Sequence, residues 1–322
     1  MAILITGAAG FIGFHIAARL LDDGRPVIGV DNMNDYYEVS LKEARLAQLE
    51  NRPGFRFRRL DVADREDMLR LAREFPEITG VVHLAAIAGV RHSLTDPYSY
   101  VSSNVMGHVV MLELARRLDR LKHFVYASSA AVYGDEGGIS TLEDRADRPT
   151  SIYAATKRAD ELISHTYAHL YGLPATGLRF FTAYGPWGRP DMAAFIFARA
   201  IVAGEPIQVF NHGEMWRDFT YVDDIVAGVL AALDRPPSGT PPHAVYNLGK
   251  GHTEKLTDFI AALETAIGRK AEKSFEPMQP GDVVQSLADI ESSRRDLGYD
   301  PKTPIEVGVP RSIAWYRDYY GV

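Results

Sequence analysis

"TGAAGFIG", residues 6–13, decides how this chain is read. Gly7, Gly10 and Gly13 recur at three-residue spacing, directly after the apolar run "AILIT" (2–6) and directly before a segment of helical periodicity (11–23). A strand that ends in such a loop and re-enters as a helix leaves the first helical amides, those of Phe11, Ile12 and Gly13, without intrahelical acceptors. The glycines let a phosphate approach the backbone, and the positive end of the helix dipole favours it there. This is the pattern of a dinucleotide pyrophosphate site; the alternative is a glycine-rich turn with no ligand. An acidic residue downstream argues against that alternative. Asp31 closes the next apolar run, "PVIGVD" (26–31), 18 positions after Gly13. A carboxylate there accepts both hydroxyls of an adenosine ribose and repels a 2′-phosphate, so NAD is favoured over NADP.

Outward from this unit the same alternation continues. "FRFRRLD" (55–61), "VVHLAA" (81–86), "HFVYASS" (123–129) and "ATGLRFF" (175–181) read as strands, with helical periodicity over 64–74, 97–119 and 153–171 between them. Strand, helix, strand in succession predicts an α/β fold, a doubly wound parallel sheet. After 181 the pattern is irregular, with Pro and Gly clusters at 185–190, 235–242 and 277–281 and helical pieces at 191–203, 254–268 and 305–320. The expected organisation is a dinucleotide-binding domain over 1–181 and a smaller α/β substrate-binding region over 182–322, with segments near 219–250 returning to the first.

Composition narrows the classes. A net charge of −7 gives no basic field for nucleic acid. With no cysteine there is no disulfide, thiolate metal site or cysteine nucleophile, and a cytoplasmic setting is the simplest reading. The apolar start lacks the basic residues of a signal peptide, and no run reaches the roughly 18 apolar residues a membrane helix needs. His83, His92, His165, His169 and His252 lack zinc-ligand spacing, so no metal is expected.

A second chemical signal is "SIYAATKRAD" (151–160), with Tyr153 and Lys157 four apart. On a helix the pair shares one face, and the ammonium stabilises a phenolate able to take a proton from a sugar hydroxyl. The preceding strand ends in "SSAAVYG" (128–134), bringing Ser128 and Ser129 to the same edge. Ser129 either hydrogen-bonds the reacting oxygen or only satisfies the strand-end backbone. Asp61 is either near the adenine or a cap for the helix at 64–74.

With "TGAAGFIG", Asp31, "DV" (61–62), "HLAA" (83–86), "SSAAVYG", "YAATK" (153–157) and "RDFTYVDDI" (217–225), the chain resembles the extended short-chain dehydrogenase/reductase superfamily and its nucleotide-sugar epimerase branch. Within the branch, "AGVRHSL", "LRFFTAYGPWGRPDMA" and "VFNHGEMWRDFTYVDDI" resemble the UDP-glucuronate 4-epimerase group. The resemblance implies a Rossmann-type sheet and a homodimer joined by the helices at 97–119 and 153–171. NAD would be held by the glycine loop, Asp31, Asn32, Asp61, Val62, Leu84, Ala85, Ala86, Tyr153 and Lys157. It also implies interconversion of UDP-glucuronate and UDP-galacturonate through a 4-keto sugar, with Tyr153 as base and Lys157 and Ser129 assisting. Arg217 would bind the diphosphate, Val209 and Phe210 the uracil, and Asp282 the uridine ribose. Gln279 departs from related UDP-galactose epimerases, which carry an arginine there.

The stretch "FFTAYGPWGRP" (180–190) acquires a role in that frame. A uronic acid brings a carboxylate that needs a cationic partner as it leaves water, and Arg189, on a turn stiffened by Pro186 and Pro190, is the candidate, with Thr182 beside the sugar. Its alternative role is a surface ion pair with Asp191. Arg91 is the second cationic candidate. Trp187 either stacks on the ligand or packs the turn.

Overall fold

The runs Ala2–Thr6, Val27–Asp31 and Ile78–His83 are buried at every residue, as strands covered on both faces must be. They lie in a seven-stranded sheet with Phe55–Arg59, His123–Ser129, Ala175–Phe180 and His243–Leu248. The computed structural model describes residues 1–134, 138–142, 146–279 and 282–322, so positions 280 and 281 of the cluster at 277–281 fall outside it. From one edge the strands run 243–248, 175–180, 123–129, 78–83, 2–6, 27–31, 55–59, all parallel. The winding direction reverses beside 2–6, so the loops after 2–6 and 78–83 diverge there and open a crevice at the carboxyl edge.

Alternation within the strands supplies two cores. Ile3 and Ile5 face the side where Phe11–Asp22 packs against Val39–Glu50 and Val222–Leu233; Ala2 and Leu4 face the other, with Arg65–Glu74 and Gly107–Ala115. The first core continues without a break through Ala193–Ala203, Leu256–Ile267 and Ile305–Tyr320. The later half therefore sits directly on the crevice. Its short parallel pairs, 182–184 with 219–221 and 207–209 with 273–275, hold the segments that form the crevice's far wall.

Four elements differ from expectation. The fourth strand starts at Ile78 rather than 81, because Ile78 and Gly80 pair with Ala2 and Ile3 across a register shift at Thr79. The helix expected over 97–119 ends at Ala115 and widens into a π-turn at Val101–Met106. The helix Val39–Glu50 and the edge strand His243–Leu248 had no periodic signal of their own. Among the described residues no helix is long and apolar enough to cross a membrane.

Candidate active site

The crevice is a cavity of about 480 Å³. Gly7, Gly10, Phe11, Ile12 and Gly13 line one end of it. Gly7 has φ +71, and a Cβ there would lie 3.0 Å from the Ala85 amide; a Cβ at Gly13 would collide with the Gly7 carbonyl. Only glycine closes this loop. Gly10 caps the helix with no side-chain acceptor, which leaves the first-turn amides to a ligand.

Asp31 ends its strand with one oxygen on the Ala9 amide (3.1 Å) and the other on the Met33 amide (2.9 Å), and still lines the cavity. A carboxylate has lone pairs left after two such bonds. Asn32 donates to Asp61 (3.0 Å), while the helix at 65–74 is capped by Asp64, not Asp61. Asp61 is therefore not the cap of that helix, and it lines the cavity beside Val62. Leu84, Ala85 and Ala86 form the opposite lip, with Thr6 accepting from the amides of Leu84 and Ala85 at 3.2 Å. A dinucleotide fits these features: a tight loop, free helix amides, a strand-end carboxylate and an apolar lip.

Tyr153 and Lys157 both line the cavity, from the first turns of Ile152–Tyr171, a helix capped by Ser151 onto the Ala154 amide (3.1 Å). Lys157 Nζ is held at 3.1 Å by both the Ala127 carbonyl and Asp160. Burial lifts the Asp160 carboxyl to about 6, although the ammonium pulls it the other way. Ser129 lines the cavity and accepts from the Ala131 amide (3.2 Å), so its backbone role is realised, while its hydroxyl donates to no acceptor among the described residues. Ser128 is tied more firmly. Its hydroxyl donates to Glu161 (2.6 Å), a carboxylate gripped by Arg179 through two bonds of 2.8 Å.

At the far wall Thr182, Arg189, Arg217 and Asp282 line the same cavity. Arg189 donates to Asp191 and, at 2.6 Å, to the Ala88 carbonyl, and its guanidinium lies 5.6 Å from the Tyr36 ring centroid. The ion pair with Asp191 is therefore present, and Arg189 faces the cavity as well. Arg217 donates to Asp282 at 2.8 Å, and burial lowers its pKa against that carboxylate's pull. Arg91 stands outside the cavity lining, 3.6 Å from Asp282 and over Phe210 at 5.4 Å. Val209 is wholly buried in the core, so its side chain does not reach the cavity. The Trp187 ring packs on Phe14, Trp315 and Tyr319, which settles its role as packing of the turn. Sequence reading passed over Tyr36, Tyr37 and Lys42 of the cavity wall and the supports Asp160, Glu161 and Arg179. Asp160 was open to inference, lying one helical turn beyond Lys157; the Glu161–Arg179 pair joins helix to strand and had no local signal.

A dinucleotide loop, a ribose carboxylate and a tyrosine–lysine pair at one crevice define an NAD-dependent enzyme acting on a hydroxyl. Residues 3–249 match the model of the NAD dependent epimerase/dehydratase family, and the chain belongs to that family. It is 44% identical to a probable UDP-glucuronate 4-epimerase of Rhizobium meliloti over 99% of this chain and 98% of that protein. It is 46% identical to UDP-glucuronate 4-epimerase 4 of Arabidopsis thaliana, over 99% of this chain and 76% of the relative. The structure superposes with a TM-score of 0.92 on UDP-glucuronic acid 4-epimerase of Bacillus cereus, solved with UDP-glucuronic acid and NAD, at 34% identity over 99% and 100% of the two chains.

Proposed function

We propose that this protein interconverts UDP-glucuronate and UDP-galacturonate by NAD-dependent epimerisation at C4. The observation that carries the reading is the convergence on one cavity of Tyr153 and Lys157, the Gly7–Gly13 loop with Asp31, and a second wall bearing Arg189 and Arg217. NAD, which the Gly7–Gly13 loop and Asp31 would hold, would supply the hydride acceptor and donor for the reaction. Tyr153 takes the C4 hydroxyl proton as the carbon is oxidised and gives it back after the ring has turned. Lys157, fixed by Ala127 and Asp160, keeps positive charge beside the phenolate, and Ser129 offers its hydroxyl to the reacting oxygen. In this reading Arg217 takes the diphosphate and Asp282, bonded to it at 2.8 Å, takes the uridine ribose. Arg189 receives the C6 carboxylate through its Nη1 edge, which carries no hydrogen bond among the described residues. Ala130 and Ala131 stand where a 4,6-dehydratase needs an acidic pair, and the short helix they begin supplies none. The reaction runs in the cytoplasm, where NAD and activated sugars are at hand, and the working unit is a homodimer.

Incubation with UDP-glucuronate, followed by separation of the nucleotide sugars, tests the reading. UDP-galacturonate should accumulate to a constant ratio with no net reduction of NAD. A UDP-pentose as the main product would make the protein a decarboxylase instead.

A further inference from the structure

Arg189 sits on a turn whose carbonyls are held from the other half of the molecule. His15, on the helix of the dinucleotide loop, bonds the Pro186 carbonyl through Nε2 at 2.9 Å. Arg45, on Val39–Glu50, donates Nε and Nη2 to the Trp187 carbonyl (3.1 and 2.7 Å) and Nη2 to the Gly188 carbonyl (3.2 Å). Its Nη1 donates to the Ala9 carbonyl inside the glycine loop (2.9 Å) and to the Tyr37 hydroxyl (2.7 Å). Arg45 is 0% exposed. A guanidinium has five N–H groups, and all five are used here on neutral oxygens.

Burying a guanidinium among neutral oxygens is costly, and a packed apolar side chain would serve a purely structural role at lower cost. What the planar fork adds is geometry: it spans two loops at once and leaves neither free to slide. Trp187 gives it a reason, since this bulky residue is held at φ +60, a conformation that persists only where its surroundings enforce it. The next residue but one is Arg189.

We propose that Arg45 is the positioning residue for carboxylate recognition: it locks the Trp187–Gly188 carbonyls to the glycine loop and so sets where Arg189 presents its guanidinium. This rests on the assignment of Arg189 to the sugar carboxylate. The preference for an acidic sugar is thereby built partly from the dinucleotide-binding half, by a side chain that does not line the cavity.

Arg45→Lys keeps the charge and loses the fork. On NAD-saturated protein, calorimetric binding should show UDP-glucuronate weakened about tenfold while UDP-glucose changes less than about twofold. In an Arg189→Ala background the same substitution should cost UDP-glucuronate nothing further, because the positioned group is gone. Equal weakening of both sugars by Arg45→Lys, or an undiminished loss in the double variant, overturns the proposal and leaves the role of Arg189 standing. If Arg189→Ala alone weakens both sugars equally, the carboxylate assignment fails and this proposal falls with it. Should Arg45→Lys not fold, Tyr37→Phe removes a single partner of Nη1 and should shift the two affinities in the same sense to a smaller extent; an equal shift in both overturns the proposal.

Discussion

At the scale of single residues the proposed chemistry rests on one phenol and one guanidinium. With Tyr153 as the proposed base, Tyr153→Phe removes only the proton carrier, so turnover should fall by at least about a hundredfold while bound NAD and UDP affinity stay unchanged. Product formation by the phenylalanine variant at near wild-type rate would remove Tyr153 as the base. Arg189 carries a different burden. Oxidation at C4 makes the substrate a β-keto acid, which loses carbon dioxide once its carboxylate aligns with the carbonyl π-system. A guanidinium clamped by Asp191 and the Ala88 carbonyl can hold that carboxylate out of alignment. Arg189→Ala should cost about 2–4 kcal/mol in UDP-glucuronate recognition or catalysis, since a desolvated charge loses its partner. It should also release some UDP-pentose, detectable by mass, and affect a neutral UDP-hexose little. Equal losses for both sugars with no pentose would reduce Arg189 to a residue that holds its turn, with Arg91 the next to examine.

At the scale of elements, the joint between the first strand and its helix is the least tolerant part of the fold. A Cβ at Gly13 meets the backbone carbonyl of Gly7, which cannot rotate away as a flexible side chain would. Gly13→Ala should therefore yield protein that has lost its co-purified NAD, read from the absorbance and mass of the released nucleotide; full retention would show that the loop relaxes. This joint was legible in sequence because its requirements are local: glycine spacing, an apolar run before and a helical period after. The helix Val39–Glu50 was not. It buries Lys42 and Arg45 beside Leu41, Leu46 and Leu49, so charged residues occupy positions where the period expects apolar ones. Lys42 folds back onto Asn34, eight residues earlier in the loop before the helix, while Arg45 serves a turn distant in sequence, at 187–188, and no helical period encodes either contact. Glu161 was hidden in the same way, since its partners Ser128 and Arg179 lie on two strands. Tyr153 and Lys157 were visible because one helix carries both.

At the scale of the whole molecule two properties follow from what the surface shows and what the interior excludes. Tyr98, Val101 and Met106 on one helical stretch, and Leu162, Leu170 and Tyr171 on Ile152–Tyr171, are all more than half exposed. Apolar side chains gathered on two neighbouring helices suit burial against a second copy of the same pair. Light scattering should give the mass of a dimer, and Leu162→Glu should shift it toward monomer; a monomeric wild-type at micromolar concentration would refute this. The interior makes a separate demand. Burial lowers the imidazole pKa from 6.5 to about 4 at His15, His123 and His243 and to about 3 at His83, and holds His108 well below its ordinary value too. A folded pKa below the unfolded one means that the unfolded chain binds more protons, so stability rises with pH across the interval. That stability is fully present above about 6.5 and drains away as the pH falls toward about 4. Asp160, raised to about 6, has the opposite sign and offsets part of one imidazole's loss. The melting temperature should therefore fall steeply from pH 6.5 to 4.5, with a slope set by several protons rather than one. A melting temperature constant over that range would mean that these imidazoles accept protons in the folded state, and that the interior around Lys157 is wetter than its packing implies.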